Sequence, residues 1–414
     1  MTRPADVLCR SLIVALSAIG LSAAAPPDRW IGAWTSAQVP AGPQHLLDPS
    51  ALDDVTLREI VHVSAGGAHL RVRLSNVFGR QPLRIDSAHV ARAEAPASPR
   101  ILSDTDRVLT FGGQQTATIA PGQELWSDPV DLPVSAFADL AVSLHFPASP
   151  DRETGHADTQ ATSFSAPGDQ SGAADLIRPT PIDHWYHLSA IETDGGADIG
   201  SIVALGDSIT DSYMSHVDGN DRWPDLLARR LRDEAGVQNP SVLNQGVAGN
   251  RVLTEIVGPR LLDRLERDLF SLPDVRTVIL LEGINDIGSL TREHPASPAE
   301  HKAFVARLIA AYRTIVAQAH RRGIRVIGGT IMPFVGSTFY HPDTANEADR
   351  QHVNAWIRTP GHFDGMIDFD RATRDPAHPG SLLPAYDSGD HIHPSVAGYH
   401  AMAAAIPLRL LLRR

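Results

Sequence analysis

One cysteine occurs in 414 residues, Cys9, and it lies in the N-terminal segment, just before an apolar stretch. Everything downstream therefore has no disulfide or thiol chemistry to draw on and must be held by its core, which a chain of this length can bury. Clustered positive charge is lacking too. Lys and Arg number 36 against 48 Asp and Glu, a net charge of −12, with no long basic run. This excludes a nucleic-acid partner, whose phosphates need a clustered cationic face. The apolar stretch Ser11 to Leu21 falls short of the roughly 20 residues that a membrane span requires. It follows Arg3 and Arg10 and precedes Ser22-Ala23-Ala24-Ala25, the make-up of a cleavable secretory signal. Residues 1–25 are expected to be such a signal, cut shortly before Pro26. The mature chain is then periplasmic or extracellular and carries no membrane span.

Long helical periodicity is absent from about Trp30 to Glu192. Leu70-Arg71-Val72-Arg73-Leu74 and Leu140 to Phe146 alternate apolar and polar residues, as half-buried strands do. Turn clusters such as Gly66-Gly67, Gly112-Gly113 and Pro121-Gly122 separate such runs. A β-sandwich over residues 28–195 is the expected accessory domain. After the linker Thr193 to Asp198 the texture becomes strand, loop, helix in repetition. Strands are expected at Ile202 to Leu205, Val242 to Asn244, Thr277 to Glu282, Arg325 to Ile331 and Met366 to Phe369. The clearest helix is Pro298 to Arg322, closed by Gly323. Buried strands alternating with helices predict an α/β domain over residues 199–414, a doubly wound parallel sheet whose sites lie at the carboxyl ends of its strands.

Chemistry-bearing segments fall at those ends. Gly206-Asp207-Ser208-Ile209-Thr210 follows the first strand, Asn244 to Asn250 with its Gly-Val-Ala-Gly the second, and Glu282-Gly283-Ile284-Asn285-Asp286 the third. Asp390-His391-Ile392-His393 is placed after the last. A serine hydroxyl is a weak nucleophile until a base takes its proton and an acid orients that base. Cleaving an ester also puts negative charge on one oxygen, which fixed N–H donors stabilise. Losing one such donor typically costs about 100- to 1000-fold in rate.

Taken in order, these segments resemble blocks one, two, three and five of the SGNH (GDSL-type) hydrolase superfamily, over roughly Ser201 to Ala403. The resemblance implies a flavodoxin-like fold and a serine esterase that needs no cofactor and no metal. It implies Ser208 as nucleophile and oxyanion donor, Gly249 and Asn285 as further donors, His393 as base and then acid, and Asp390 as its orienter. Asp387 competes with Asp390 for that last role. The Ile31-Gly32-Ala33-Trp34-Thr35 stretch resembles, more loosely, secreted two-domain bacterial members. Thr210 stands where the α/β-hydrolase elbow requires glycine, which sets that fold aside.

Plainer roles compete with these. Ser208 suits a helix N-cap, the Gly246–Gly249 loop a phosphate cradle without the P-loop lysine, and His391-Ile392-His393 a metal. His391 is read as facing away. Asp207, Asp211 and Asp286 are expected to bond backbone N–H groups of their loops. Glu282, at the end of an apolar strand, needs a buried partner. Trp30, Trp34, Trp126 and Trp185 either fill the front domain and its contacts or stack on sugars. The substrate is accordingly a small-molecule or glycan ester, with a carbohydrate O-acetylesterase as the alternative activity. A carbohydrate-binding or adhesion protein with an inactive hydrolase core is the alternative of another class.

Overall fold

Short alternating runs in the first half and continuous apolar runs in the second give two kinds of sheet in the computed structural model, which describes residues 29–40, 42, 53–148 and 154–412. The expected signal and Cys9 lie outside the described residues. From Ile31 to Thr193 the strands are antiparallel. One sheet runs in the order Ile31–Thr35, Leu188–Thr193, Gly67–Ser75, Val130–Val134, with Glu124–Trp126 also paired to Gly67–Ser75. A second runs Thr180–Ile182, Ser163–Pro167, Val55–His62, Asp139–Phe146, Ser87–Arg92, Arg107–Val108. Their inner faces share one core that includes Ile31, Leu57, Val72, Leu74, Val142 and Leu144, so the sheets pack as a sandwich. Among the described residues this half has no α-helix.

The tryptophans are occupied. Trp34 and Trp185 meet edge to face at 4.9 Å and are 8% and 6% exposed. The Arg71 guanidinium lies 4.6 Å from the Trp30 ring and 4.5 Å from the Trp126 ring. Trp34 and Trp185 thus pack in the core of the sandwich, while Trp30 and Trp126 are half-buried against arginine.

The second half holds a parallel sheet of β1 (Ser201–Asp207), β2 (Val242–Val247), β3 (Val275–Leu281), β4 (Arg325–Gly329) and β5 (Gly365–Ile367) in the order β2-β1-β3-β4-β5. The strand order reverses around β1, the arrangement of flavodoxin-like doubly wound sheets. Helices fall into two packed groups. One contains α2 (Trp223–Ala235), α7 (Phe369–Thr373) and α8 (Val396–Ala405); the other contains α4 (Ile284–Thr291), α5 (Pro298–His320) and α6 (Thr344–Arg358). α5 starts at a capping box, in which Ser297 and Glu300 satisfy each other's backbone N–H. Strand ends differ from the expected ones by up to three residues, as hydrophobic runs mark strands better than their ends.

β2 is an edge strand, and the sandwich covers it. Gly32 lies so close that a side chain there would meet Leu243 at 2.5 Å. Around it Ser241 Oγ donates to Gly32 C=O (2.7 Å), Ser64 Oγ to Val242 C=O (2.9 Å) and Thr35 Oγ1 to Asn244 C=O (3.1 Å). A glycine inside that strand thus has a steric reason.

Candidate active site

α1 (Ser208–Asp211) is a single turn that follows β1 directly. Asp207, not Ser208, is its N-cap, its carboxylate accepting from the Ile209 N–H at 3.0 Å. Ser208 is thereby left with its hydroxyl uncommitted to capping. The turn folds back onto β2 because Gly246 leaves room for it: a Cβ there would lie 2.2 Å from the Asp211 nitrogen. Ser208 is 5% exposed.

Its Oγ lies 2.8 Å from His393 Nε2, and His393 Nδ1 lies 2.5 Å from Asp390 Oδ2. A carboxylate only accepts, so Nδ1 carries a hydrogen and Nε2 is left to accept the serine proton. The other Asp390 oxygen accepts from the N–H groups of His393 (2.8 Å) and Ile392 (2.9 Å) and from Ser388 Oγ (3.1 Å). Partial burial alone would raise the Asp390 carboxyl; the hydrogen bond and charge of His393, with these N–H groups, hold it well below the usual carboxylate range. Asp387 is taken by His391, whose Nδ1 sits 2.6 Å from its Oδ2. The two neighbouring acid–imidazole pairs are separate, and only Asp390 touches His393. The pair does not directly follow β5, as expected; α7 and a long loop intervene.

Gly249 and Asn285 meet through Asn250. Gly249 has a φ of +74°. Asn285 Nδ2 donates to the Asn250 carbonyl at 3.0 Å, and its Oδ1 accepts from the Tyr340 hydroxyl at 2.8 Å. The amide is thus oriented at both ends, with its second N–H pointing elsewhere. Asp286 accepts from the N–H groups of Val252 and Leu253, both at 2.9 Å. Strand pairing puts these loops side by side, since Asp207 is in register with Val247 and Gly206 with Leu281.

Beneath them sits Arg264, on α3 (Leu261–Leu265), its side chain fully buried. Its guanidinium donates to Gly206 C=O (2.9 Å), Gln245 C=O (3.0 Å), Asn250 Oδ1 (2.9 Å) and Asp268 Oδ2 (3.1 Å), and reaches Glu282 Oε2 at 3.5 Å. One side chain therefore ties the ends of β1 and β2, the loop after β2 and the residue after β3. Sequence reasoning missed it, although the partner demanded by Glu282 was its trace. Tyr340 was missed as well. Asp211 does not bond a loop N–H as expected; its carboxylate faces His156 at 3.0 Å. Among the described residues no group of three or more His, Cys, Asp or Glu is placed to hold a metal.

Burial pushes Asp207 up from 3.8 to about 7, against the Ile209 N–H and the charge of His393. It also pushes Asp286 up to about 6, and Glu282 well above its ordinary value against the pull of Arg264. At Asp207 the folded chain holds a proton that the unfolded chain releases above pH 4 or so. Its contribution to stability is full at low pH, declines as pH rises toward about 7, and is gone above. Asparagine keeps the capping oxygen and cannot ionise. Asp207→Asn is accordingly expected to leave the melting temperature unchanged near pH 4 and to raise it near pH 9, by the equivalent of about 4 kcal/mol. Melting curves of both proteins across that range check it; a uniform shift at all pH values would contradict it.

A hydroxyl, an imidazole and a carboxylate in one hydrogen-bonded line, at the carboxyl edge of a parallel sheet beside oriented amide donors, can activate an oxygen nucleophile for acyl transfer. Residues 204–401 match the GDSL-like Lipase/Acylhydrolase family, which supports the SGNH/GDSL resemblance of this part of the chain. No curated protein matches the chain. Solved structures similar to it include an acetylxylan esterase from Geobacillus stearothermophilus, 23% identical over 52% of this chain and 97% of that one, TM-score 0.38. A GDSL-like lipase from Bacteroides thetaiotaomicron is 18% identical over 51% and 87%, TM-score 0.37.

Proposed function

We propose that the protein is a serine esterase that cleaves carboxylic esters through an acyl-enzyme on Ser208. The observation that carries this reading is the bonded line Ser208 Oγ, His393 Nε2, His393 Nδ1, Asp390 Oδ2. Ser208 Oγ attacks the ester carbonyl while its proton passes to Nε2. Asp390, held ionised by its partners, keeps Nδ1 protonated and stabilises the imidazolium that forms. The carbonyl oxygen, now charged, is received by the backbone N–H groups of Ser208 and Gly249 and by the second amide N–H of Asn285. The remaining Asn285 bonds, to Asn250 and Tyr340, fix that amide before substrate arrives. His393 then returns the proton to the leaving alcohol, and water activated by the same imidazole frees the acid.

A fluorophosphonate probe tests this directly, because it adds covalently to a serine whose proton is taken by a base. Peptide mass analysis is expected to find the adduct on the peptide bearing Ser208, in step with loss of p-nitrophenyl acetate hydrolysis. An adduct on another serine, or full inactivation with none, would overturn the assignment.

A further inference from the structure

One turn of helix has too few internal hydrogen bonds to hold its own direction, and α1 carries Ser208 at its first position and Asp211 at its last. The Asp211 backbone rests on Gly246. Its side chain is held by a residue from the antiparallel half. His156, on the strand Thr154–His156, places Nε2 3.0 Å from Asp211 Oδ1 and Nδ1 2.8 Å from the Ala37 carbonyl. Both neighbours of the ring are acceptors, so both ring nitrogens must donate, and the geometry is satisfied by an imidazolium. The two side chains are 5% and 8% exposed. The ring stacks on Trp185 at 5.9 Å, and the Arg222 guanidinium, bonded to the Thr159 carbonyl and to Asp225, lies 5.9 Å from the same indole.

We propose that His156 is a positioning residue for Ser208: paired with Asp211, it fixes the single-turn helix that aims the serine at His393, so the sandwich sets the reactivity of the neighbouring domain. This rests on Ser208 being the nucleophile. Burial disfavours the His156 cation, but the charge and hydrogen bond of Asp211, with the Ala37 carbonyl, outweigh burial and the opposing charge of Arg222, and its pKa lies above the ordinary 6.5. The imidazolium of the pair therefore persists to higher pH than a free imidazole would and is lost as pH rises through that raised value. His62, Asp139, Asp218 and Asp225 face the same cavity of about 40 Å³, which has room for water beside the pair.

The test compares His156→Ala, His156→Gln, Asp211→Asn and Ser208→Ala by p-nitrophenyl acetate turnover, by fluorophosphonate labelling rate and by melting. His156→Ala is expected to lower kcat and the labelling rate together by about 10- to 100-fold with KM nearly unchanged. Glutamine, whose amide can donate to Asp211, is expected to restore part of both. It is also expected to remove the alkaline decline in labelling that the wild type shows, because it has no proton to lose. His156→Gln/Asp211→Asn is expected to be no worse than the poorer single variant. A folded alanine variant labelled at the wild-type rate would overturn the proposal. If the alanine variant does not fold, the glutamine variant decides: an alkaline profile identical to the wild type's overturns it. Labelling that persists in Ser208→Ala marks failure of the nucleophile assignment instead; labelling lost there but indifferent to His156 marks failure of the positioning role alone.

Discussion

Ser208→Ala is expected to lower ester turnover by at least about 10⁴-fold while the protein stays folded. Alanine removes only the Oγ that meets His393 at 2.8 Å; the Asp207 cap and the α1 packing on Gly246 do not use it. With no oxygen to carry the acyl group, the reaction is left with direct attack by water on an ester bound beside the same donors. The residual rate comes from those donors and from binding. His393→Ala is expected to fall comparably, and the double variant no further, because neither group works without the other. Turnover of p-nitrophenyl acetate, with circular dichroism to verify folding, decides it. A folded Ser208→Ala protein with more than a few per cent of wild-type activity would place the nucleophile elsewhere.

Arg264→Met is expected to cost about 3–5 kcal/mol of stability and, in the fraction that folds, about 100-fold in kcat. Methionine fills much of the same space but donates nothing, leaving the carbonyls of Gly206 and Gln245 and the Asn250 side chain with buried acceptors unmet. Asp268 keeps Arg267, at 2.6 Å, so the loss falls on the strand ends and on Glu282, which is left buried without its partner. Those ends carry Ser208 and the Gly249 loop, which explains why stability and rate are expected to fall together. Lysine, a point donor without the planar fork, is expected to recover only a part. Urea unfolding and kcat on the same preparations check both halves. A methionine variant with wild-type midpoint and rate would remove Arg264 from this role.

The parallel sheet was legible because its buried strands are unbroken apolar runs, and the serine, glycine and asparagine segments because each stands in a fixed order at a strand end. The resemblance's Asp-x-x-His spacing favoured Asp390 as the partner of His393, and the choice against Asp387 comes from the contacts, Asp390 meeting His393 and Asp387 meeting His391. What escaped were groups whose roles depend on meeting segments far away in the chain. Arg264 reads as one more surface arginine on a leucine-rich turn until β1, β2 and Glu282 close around it. Asp211 reads as a loop residue until His156 arrives from 55 residues upstream. Glu282 alone hinted at such a partner, since a carboxylate ending an apolar strand has to find one.

The docking of the Ile31–Thr35 strand on β2 also bears on how the chain comes together. Ile31 pairs with Thr193, and Gly32 seats against Leu243. The first strand thus has no lasting partner until the last strand of its own sheet has been synthesised, and no cover until β2 has followed. Pairings so distant in sequence are slow to form and leave strand edges open meanwhile. With no cysteine after Cys9 to trap an early register, the order of assembly is left to the late-arriving half, which completes the half made before it.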